Sequence, residues 1–141
     1  MSVGELGPKN VVTASRDTEL PALTESFENE QVGAIVITEN DEPVGIVTDR
    51  DAALAIHSHD DLASVTAEEI MAENPATIRD DEDPIEISRM IDEHNVRRFP
   101  TVDGDGKLTG IVTLDDLVAT IGEELDNVSE TIEAQSPEYS P

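Results

Sequence analysis

The chain has 141 residues and a formal net charge of −25, long enough for one compact domain with a real core. It contains no cysteine, which excludes disulfides and thiolate metal sites. Binding to DNA or RNA needs Lys and Arg to release counterions from phosphates, so a polyanion of this kind is not expected to have a nucleic-acid partner.

The N-terminal stretch MSVGELGPKN lacks the basic start and apolar run of a signal peptide. No segment approaches the roughly 18 to 20 continuous apolar residues of a membrane span. A cytoplasmic protein without a membrane partner is therefore expected. High net charge alone can signal disorder, but here the acids are interleaved with periodic apolar residues, which predicts a folded core. Only two lysines, Lys9 and Lys107, stand against six arginines. Such a surface suits molar salt, where the Debye length is about 3 Å and self-repulsion is screened; a halophilic source is the expectation.

In chain order, the first element is a short β run at Val11–Ala14. An amphipathic helix follows over about Thr18–Glu30, with Leu20, Leu23 and Phe27 on one face and Asp17 as its N-cap. A strand at Ala34–Thr38, the polar turn TENDEP and a second strand at Val44–Val47 lead into a helix from about Asp49. His57–Asn74 connects onward and carries a short helix at Thr66–Met71. The same order then returns. There is a β run at Ala76–Ile78 and a helix over Asp83–His94, with Ile87, Met90, Ile91 and His94 on one face and Asp81 as N-cap. Strands at Phe99–Val102 and Leu108–Val112 are joined by Asp103-Gly104-Asp105-Gly106, which reads as a hairpin. A last helix starts near Asp115. After Leu125 the chain turns polar, and residues 127–141, ending in SPEYSP, are expected to fray.

Gly-Ile-Val-Thr-x-x-Asp occurs at Gly45–Asp51 and again at Gly110–Asp116, a shift of 65. Upstream the register is 64: Asn10, Thr13, Asp17 and Val32 match Asn74, Thr77, Asp81 and Val96. The one-residue change falls in the hairpin turn, where insertions are tolerated. Thr48-x-x-Asp51 has two compatible readings. As a capping box, Thr48 accepts from a helical N–H and Asp51 complements the helix dipole. As a phosphate and sugar site, free N–H groups and the positive helix end attract an anion, while a carboxylate one turn on accepts from both hydroxyls of a ribose.

A β-α-β-β-α unit duplicated at this spacing, with the G-I-V-T-x-x-D motif on the second hairpin strand, resembles a CBS (cystathionine-β-synthase) domain. Glu69-Ile70-Met71 with Asn74-Pro75, and Val96-Arg97-Arg98-Phe99-Pro100, support the match. Two in tandem resemble a CBS pair, or Bateman module, over about Asn10–Gly122. The resemblance implies an α+β fold in which unit one (1–65) and unit two (66–126) are related by an internal pseudo-twofold axis. It implies a regulatory module rather than an enzyme, sensing AMP, ADP, ATP or an adenosyl compound such as S-adenosylmethionine in clefts between the units. The alternative is a structural or dimerisation module with vestigial sites. No catalytic domain is left over, so a free-standing pair is expected. A homodimer is also implied, through helices presenting Leu23 and Phe27 or Leu117 and Val118, together with a protein target that the residues do not name.

Carried over onto matching positions, site one uses Ile46, Thr48 and Asp51 with Pro75, Ala76, Arg97 and Arg98, and Arg50 beside it. Site two uses Ile111, Thr113 and Asp116 with Val11, Val12, Gly33 and Ala34. In each, the Asp holds ribose, the Thr touches phosphate, and backbone of the opposite unit meets the base. Site one concentrates three arginines in one crevice, and arginine suits bidentate phosphate binding. Site two has Gly33-Ala34 in the matching place and Asp115 where Arg50 stands. Site one is therefore expected to bind adenylate better, and site two to be weak or to prefer a neutral adenosine compound.

Other motifs carry less. Asp103–Gly106 lacks the Glu that closes a calcium loop, because Leu114 stands at the twelfth position. His57 and His59 do not share a helix face, and His94 ends a helix, where a cation is favoured. No Ser-His-Asp or Cys-His set is present. A carboxylate pair at Asp49 and Asp51 beside Arg50 is a poor magnesium site. No metal is expected, and no cofactor other than the regulatory nucleotide.

Overall fold

Two hairpins organise the chain. In the first, β2 (Ala34–Glu39) pairs with β3 (Glu42–Thr48). Their turn residues Asn40 and Asp41 have φ of 52° and 65°, the left-handed pair whose twist matches the flanking strands and which Asn and Asp tolerate. In the second hairpin, β6 (Arg98–Val102) pairs with β7 (Leu108–Thr113), with Gly106 at φ 81° in the turn. The computed structural model describes residues 2–7 and 11–135.

Short flanking strands widen each hairpin. β1 (Thr13–Ala14) runs parallel to β2, and β4 (Ala72–Glu73) antiparallel to β3, giving the order β1-β2-β3-β4. β5 (Ile78–Arg79) runs parallel to β6, giving β5-β6-β7. Helices α1 (Leu20–Glu30) and α2 (Asp49–Ser58) belong to the first half. The short α3 (Ala67–Ile70) connects the halves, and α4 (Ile85–His94) and α5 (Leu114–Gln135) complete the second. The result is the mixed α+β architecture expected. Leu23, Ile35, Ile37 and Val47 form one core, extended by Ala67 and Met71; Ile78, Ile87, Phe99, Val112 and Leu117 form the other.

The connecting segment packs on the unit that precedes it. Ala67 N donates to Thr18 O at 2.8 Å and Glu68 N to Arg16 O at 3.0 Å, while β4 joins the first sheet. The N-terminal segment repeats this in the other direction. Its 3-10 turn, Val3–Glu5, lies on the second unit, with Val3 N on Glu82 O and Gly4 N on Asp80 O, both at 2.9 Å. Each pair of partners differs from its counterpart by the same 64 residues as the upstream repeat. Val3 is fully buried in the second core. The two units thus exchange covering segments, and a boundary drawn at residue 66 divides the sequence rather than the packing.

Several expected boundaries move. Asp17 does not cap α1: the N-cap is Glu19, and Leu20 N is satisfied at 2.7 Å by Val65 O from the connecting segment. Asp81 does not cap α4: Pro84 occupies that position, and Asp83 Oδ1 accepts from Ile85 N at 3.2 Å. The opening β runs are shorter than Val11–Ala14 and shifted from Ala76–Ile78, because only residues facing β2 and β6 gain ladder partners. α5 continues through Gln135, so the polar stretch from 127 is helical to that point. The end of the chain, 136–141, and Asn10 lie outside the described residues.

Candidate functional site

Each Gly-Ile-Val-Thr-x-x-Asp motif marks the point where a buried hairpin strand becomes a helix. In the first, Thr48 ends β3 and caps α2. Thr48 N and Thr48 Oγ1 donate to Asp51 Oδ2 at 2.9 and 3.0 Å, and Asp51 N donates back to Thr48 Oγ1 at 3.2 Å. In the second, the matching bonds between Thr113 and Asp116 measure 2.9, 3.1 and 3.2 Å. The capping-box reading therefore holds in both copies. The amides of the first turn of α2 are also engaged: Asp49 N donates to Gly33 O and Arg50 N to Asp49 Oδ1, at 3.2 and 2.9 Å. They are not the free donors expected of an open anion site.

Ile46, Thr48, Asp51, Pro75, Ala76, Arg97 and Arg98 line one cavity of about 510 Å³. Three separated stretches meet there: the end of β3 with the start of α2, the backbone after β4, and the link from α4 into β6. The last is shaped by Asn95, which ends α4 at φ 54° and turns the chain so that Arg97 and Arg98 face the cleft. Arg50 is not part of this lining; it is exposed on the first turn of α2. Glu73, Asn74, His94 and Val96 also line the cavity. Asn74 and Val96 stand in the quoted motifs without having been assigned to the site, whereas Glu73 and His94 lie beside those motifs and carried a weaker signal.

The site-two residues are distributed differently. Ile111 lines a cavity of about 260 Å³ with Val3, Gly4, Gly7, Asp80, Thr101, Thr109 and Gly110. Thr113 lines another of about 250 Å³ together with Arg97, Arg98, Leu114 and Asp115. Gly7 approaches the motif closely: a Cβ built there falls 2.4 Å from Ile111 O and 3.3 Å from Asp116 Oδ2. Val11 and Val12 are half-buried ahead of β1; Gly33 immediately precedes β2 and Ala34 starts it. The arginines are shared between the motifs rather than reserved for one. Arg98 Nη2 is 3.4 Å from a Cβ built on Gly33, and Arg97 Nη2 is 3.6 Å from Asp115 Oδ1. Among the described residues, no group of three or more His, Asp or Glu could hold a metal ion, and no helix is long and apolar enough to cross a membrane.

Two pseudo-symmetric α+β units, each ending its hairpin on a capped helix and exchanging covering segments across a shared cleft, define a tandem-repeat module. The CBS domain model matches the chain twice, over residues 3–58 and 67–123, and the chain belongs to the CBS domain family. An uncharacterized protein of Methanopyrus kandleri is 34% identical over 141 aligned residues, covering 94% of this chain and 72% of that protein. A CBS domain-containing protein of Dictyostelium discoideum is 31% identical, with coverages of 89% and 94%. Among solved structures, the CBS domain pair of protein MJ0100 in complex with 5′-methylthioadenosine and S-adenosyl-L-methionine superposes with a TM-score of 0.76 at 25% identity, covering 88% of this chain and 98% of that one. A CBS domain protein from Pyrobaculum aerophilum complexed with AMP gives 0.73 at 24% identity, with coverages of 82% and 89%; at that identity the likeness shows the fold.

Proposed function

We propose that the site-one cleft binds an adenine nucleotide or a related adenosyl compound, and that the protein is a regulatory ligand sensor rather than an enzyme. The observation that carries this reading is the convergence of Ile46, Thr48, Asp51, Pro75, Ala76, Arg97 and Arg98 on one cavity of about 510 Å³, a size within the usual range for small-molecule sites. The bound adenosyl compounds and AMP in the neighbouring CBS structures support the ligand class.

In this reading the Asp51 carboxylate accepts from the ribose hydroxyls. Both intramolecular bonds to Asp51 use Oδ2, so a ribose held through Oδ1 does not cost the helix cap. Arg97 and Arg98 supply charge-assisted hydrogen bonds to phosphate, Thr48 lies beside the phosphate, and the Pro75–Ala76 backbone meets the base. A phosphate that drew Arg97 inward would take it from Asp115 across an exposed pair, and such pairs are weak. Site two is the lesser site, with Gly7 set against its motif. The ligand acts by binding two conformations of the module unequally. A homodimer in a cytoplasm of high salt is the setting that best suits the charge of −25.

Isothermal titration in molar KCl tests the reading. AMP is expected to bind wild-type protein with one dominant site, and Arg97→Ala/Arg98→Ala to weaken it at least tenfold. Heat-silent titration and an unmoved melting temperature at millimolar AMP, ATP and S-adenosylmethionine would leave the two motifs as helix caps only.

A further inference from the structure

At one place in the packing the two units differ at nearly every side chain. In the first unit Met71 lies directly against Gly45, so closely that a Cβ on Gly45 would overlap its sulfur. Ile37 stands opposite Gly45 across the hairpin, and Ile37 and Met71 belong to one core with Val44 packed on it. In the same unit Arg16 forms an ion pair with Glu68 at 3.5 Å. All five of these residues change in the second unit. At the shift of 64, Gly7 replaces Met71, Thr101 replaces Ile37, Gly4 replaces Glu68 and Asp80 replaces Arg16; at the shift of 65, Thr109 replaces Val44. Only the glycine is kept, as Gly110, and Thr101 faces it as Ile37 faces Gly45. Where the first unit is filled, the second has a cavity of about 260 Å³. Both kinds of change work against stability: a deleted core side chain leaves a void, and a hydroxyl costs more to bury than the methyl it replaces. Packing rules are broken in this way where a site needs room and polarity.

This cavity is not the counterpart of the site-one cleft. Successive side chains of a strand point to opposite faces. In the first unit Ile46 lines the cleft, whereas Met71, set against Gly45, takes no part in the lining. The cavity lies at Gly110, the position that corresponds to Gly45. Its chemistry is that of an acceptor. Thr101 is 4% exposed, and its Oγ1 is 3.0 Å from Thr109 Oγ1. One hydroxyl proton serves that bond, and lone pairs remain on both oxygens. Asp80 lines the same cavity. Its neighbour Arg79 is paired with Asp81 at 2.8 Å, and among the described residues no Lys, Arg or His lines the cavity. Hydroxyl oxygens and a carboxylate without a cation favour a ligand that donates hydrogen bonds and carries positive charge. An anion would meet Asp80 unopposed. The volume falls below the range of about 300–1,000 Å³ usual for drug-sized ligands, so the occupant is small.

We propose that this cavity is a separate ligand site, which takes a small organic cation through its ammonium group, with Asp80 as counter-charge and Thr101 and Thr109 as hydrogen-bond acceptors. It does not depend on the adenine-nucleotide reading of the cleft. Ethanolamine is the probe, with acetate and ethylene glycol as anionic and neutral controls of similar size. Titration in molar KCl suppresses the general attraction of any cation to a chain of charge −25, so what binds there binds at a site. Ethanolamine is expected to move the amide NMR signals of Gly4, Gly7, Thr101 and Gly110 saturably, ethylene glycol to bind more weakly, and acetate to leave them in place. Asp80→Asn, which keeps the side-chain shape, should weaken ethanolamine at least tenfold. Thr101→Ile/Thr109→Val, which restores the residues of the first unit, should abolish the response. Unmoved signals with ethanolamine, an equal response to either control, or binding unchanged in Asp80→Asn or in the double variant overturns the proposal.

Discussion

Replacing Asp51 by alanine removes the acceptor for Thr48 N and Thr48 Oγ1, at 2.9 and 3.0 Å. Replacing Asp116 removes the same bonds to Thr113, at 2.9 and 3.1 Å. Lost caps cost about 0.5–2 kcal/mol, so the matched geometry predicts a similar loss of about 1 kcal/mol in each variant, or about 3–5 °C in melting temperature for a domain of this size. Ligand binding separates the two. A ribose diol on the Asp51 carboxylate makes hydrogen bonds to a charged group, each contributing about 1.5–3 kcal/mol. Asp51→Ala should therefore weaken AMP at least about tenfold, while Asp116→Ala leaves the dominant site unchanged. Thermal melts and titration calorimetry in molar KCl read both quantities on the same samples. Equal loss of AMP affinity in the two variants would refute the assignment of the dominant site, and clearly unequal melting losses would refute the equivalence of the two caps.

Three further outcomes follow from the packing. Val3→Ala should destabilise the protein by about 1–3 kcal/mol in chemical denaturation, because Val3 is fully buried in the second core; an effect near zero would mean that the N-terminal turn does not cover that unit. A Cβ on Gly45 would fall 2.3 Å from Met71 Sδ and 2.9 Å from its Cγ, so Gly45→Ala should cost about 1–3 kcal/mol by overpacking. Met71→Ala in the same chain should recover part of that loss, as coupled neighbours do. Raising KCl from dilute buffer to molar concentration should raise the melting temperature, since screening relieves the self-repulsion of a charge of −25; a flat or falling curve would count against the halophilic expectation.

Much of the fold was legible because the repeat is strict where the strands are buried. The hairpins, the short α3 and the starts of α2 and α5 follow from the twin motifs and from turn residues such as Asn40, Asp41 and Gly106. What escaped lies where tertiary contacts replace local signals. Asp17 looked like a cap, but the first amide of α1 is satisfied by Val65 O, a partner 45 residues away. The N-terminal turn is too short for periodicity to reveal. Its counterpart was nonetheless readable at the same shift of 64, with Ser2 and Glu5 standing where Thr66 and Glu69 form the matching box. The far half of α5 was hidden by its acids, which mask Leu125, Val128 and Ile132 at helical spacing.

The candidate cleft was legible to a similar depth. Seven residues expected at site one line one cavity, because the pseudo-twofold relation brings the link into β6 opposite the motif of the first unit. Arg50 does not join them: its place on the first turn of α2 leaves it exposed and outside the lining. The sharing of Arg97 and Arg98 between the two motifs was not readable either, since spacing gives the position of an arginine along the chain but not the reach of its side chain.

The central claim, that the cleft between Asp51 and the Arg97-Arg98 pair holds an adenine nucleotide, is tested most directly by a crystal structure of the protein grown with AMP. The expected result is a nucleotide with its ribose on Asp51, its phosphate on Arg97 and Arg98, and its base against Pro75 and Ala76. AMP bound only at the Thr113–Asp116 motif, or an empty cleft at saturating AMP, would contradict it.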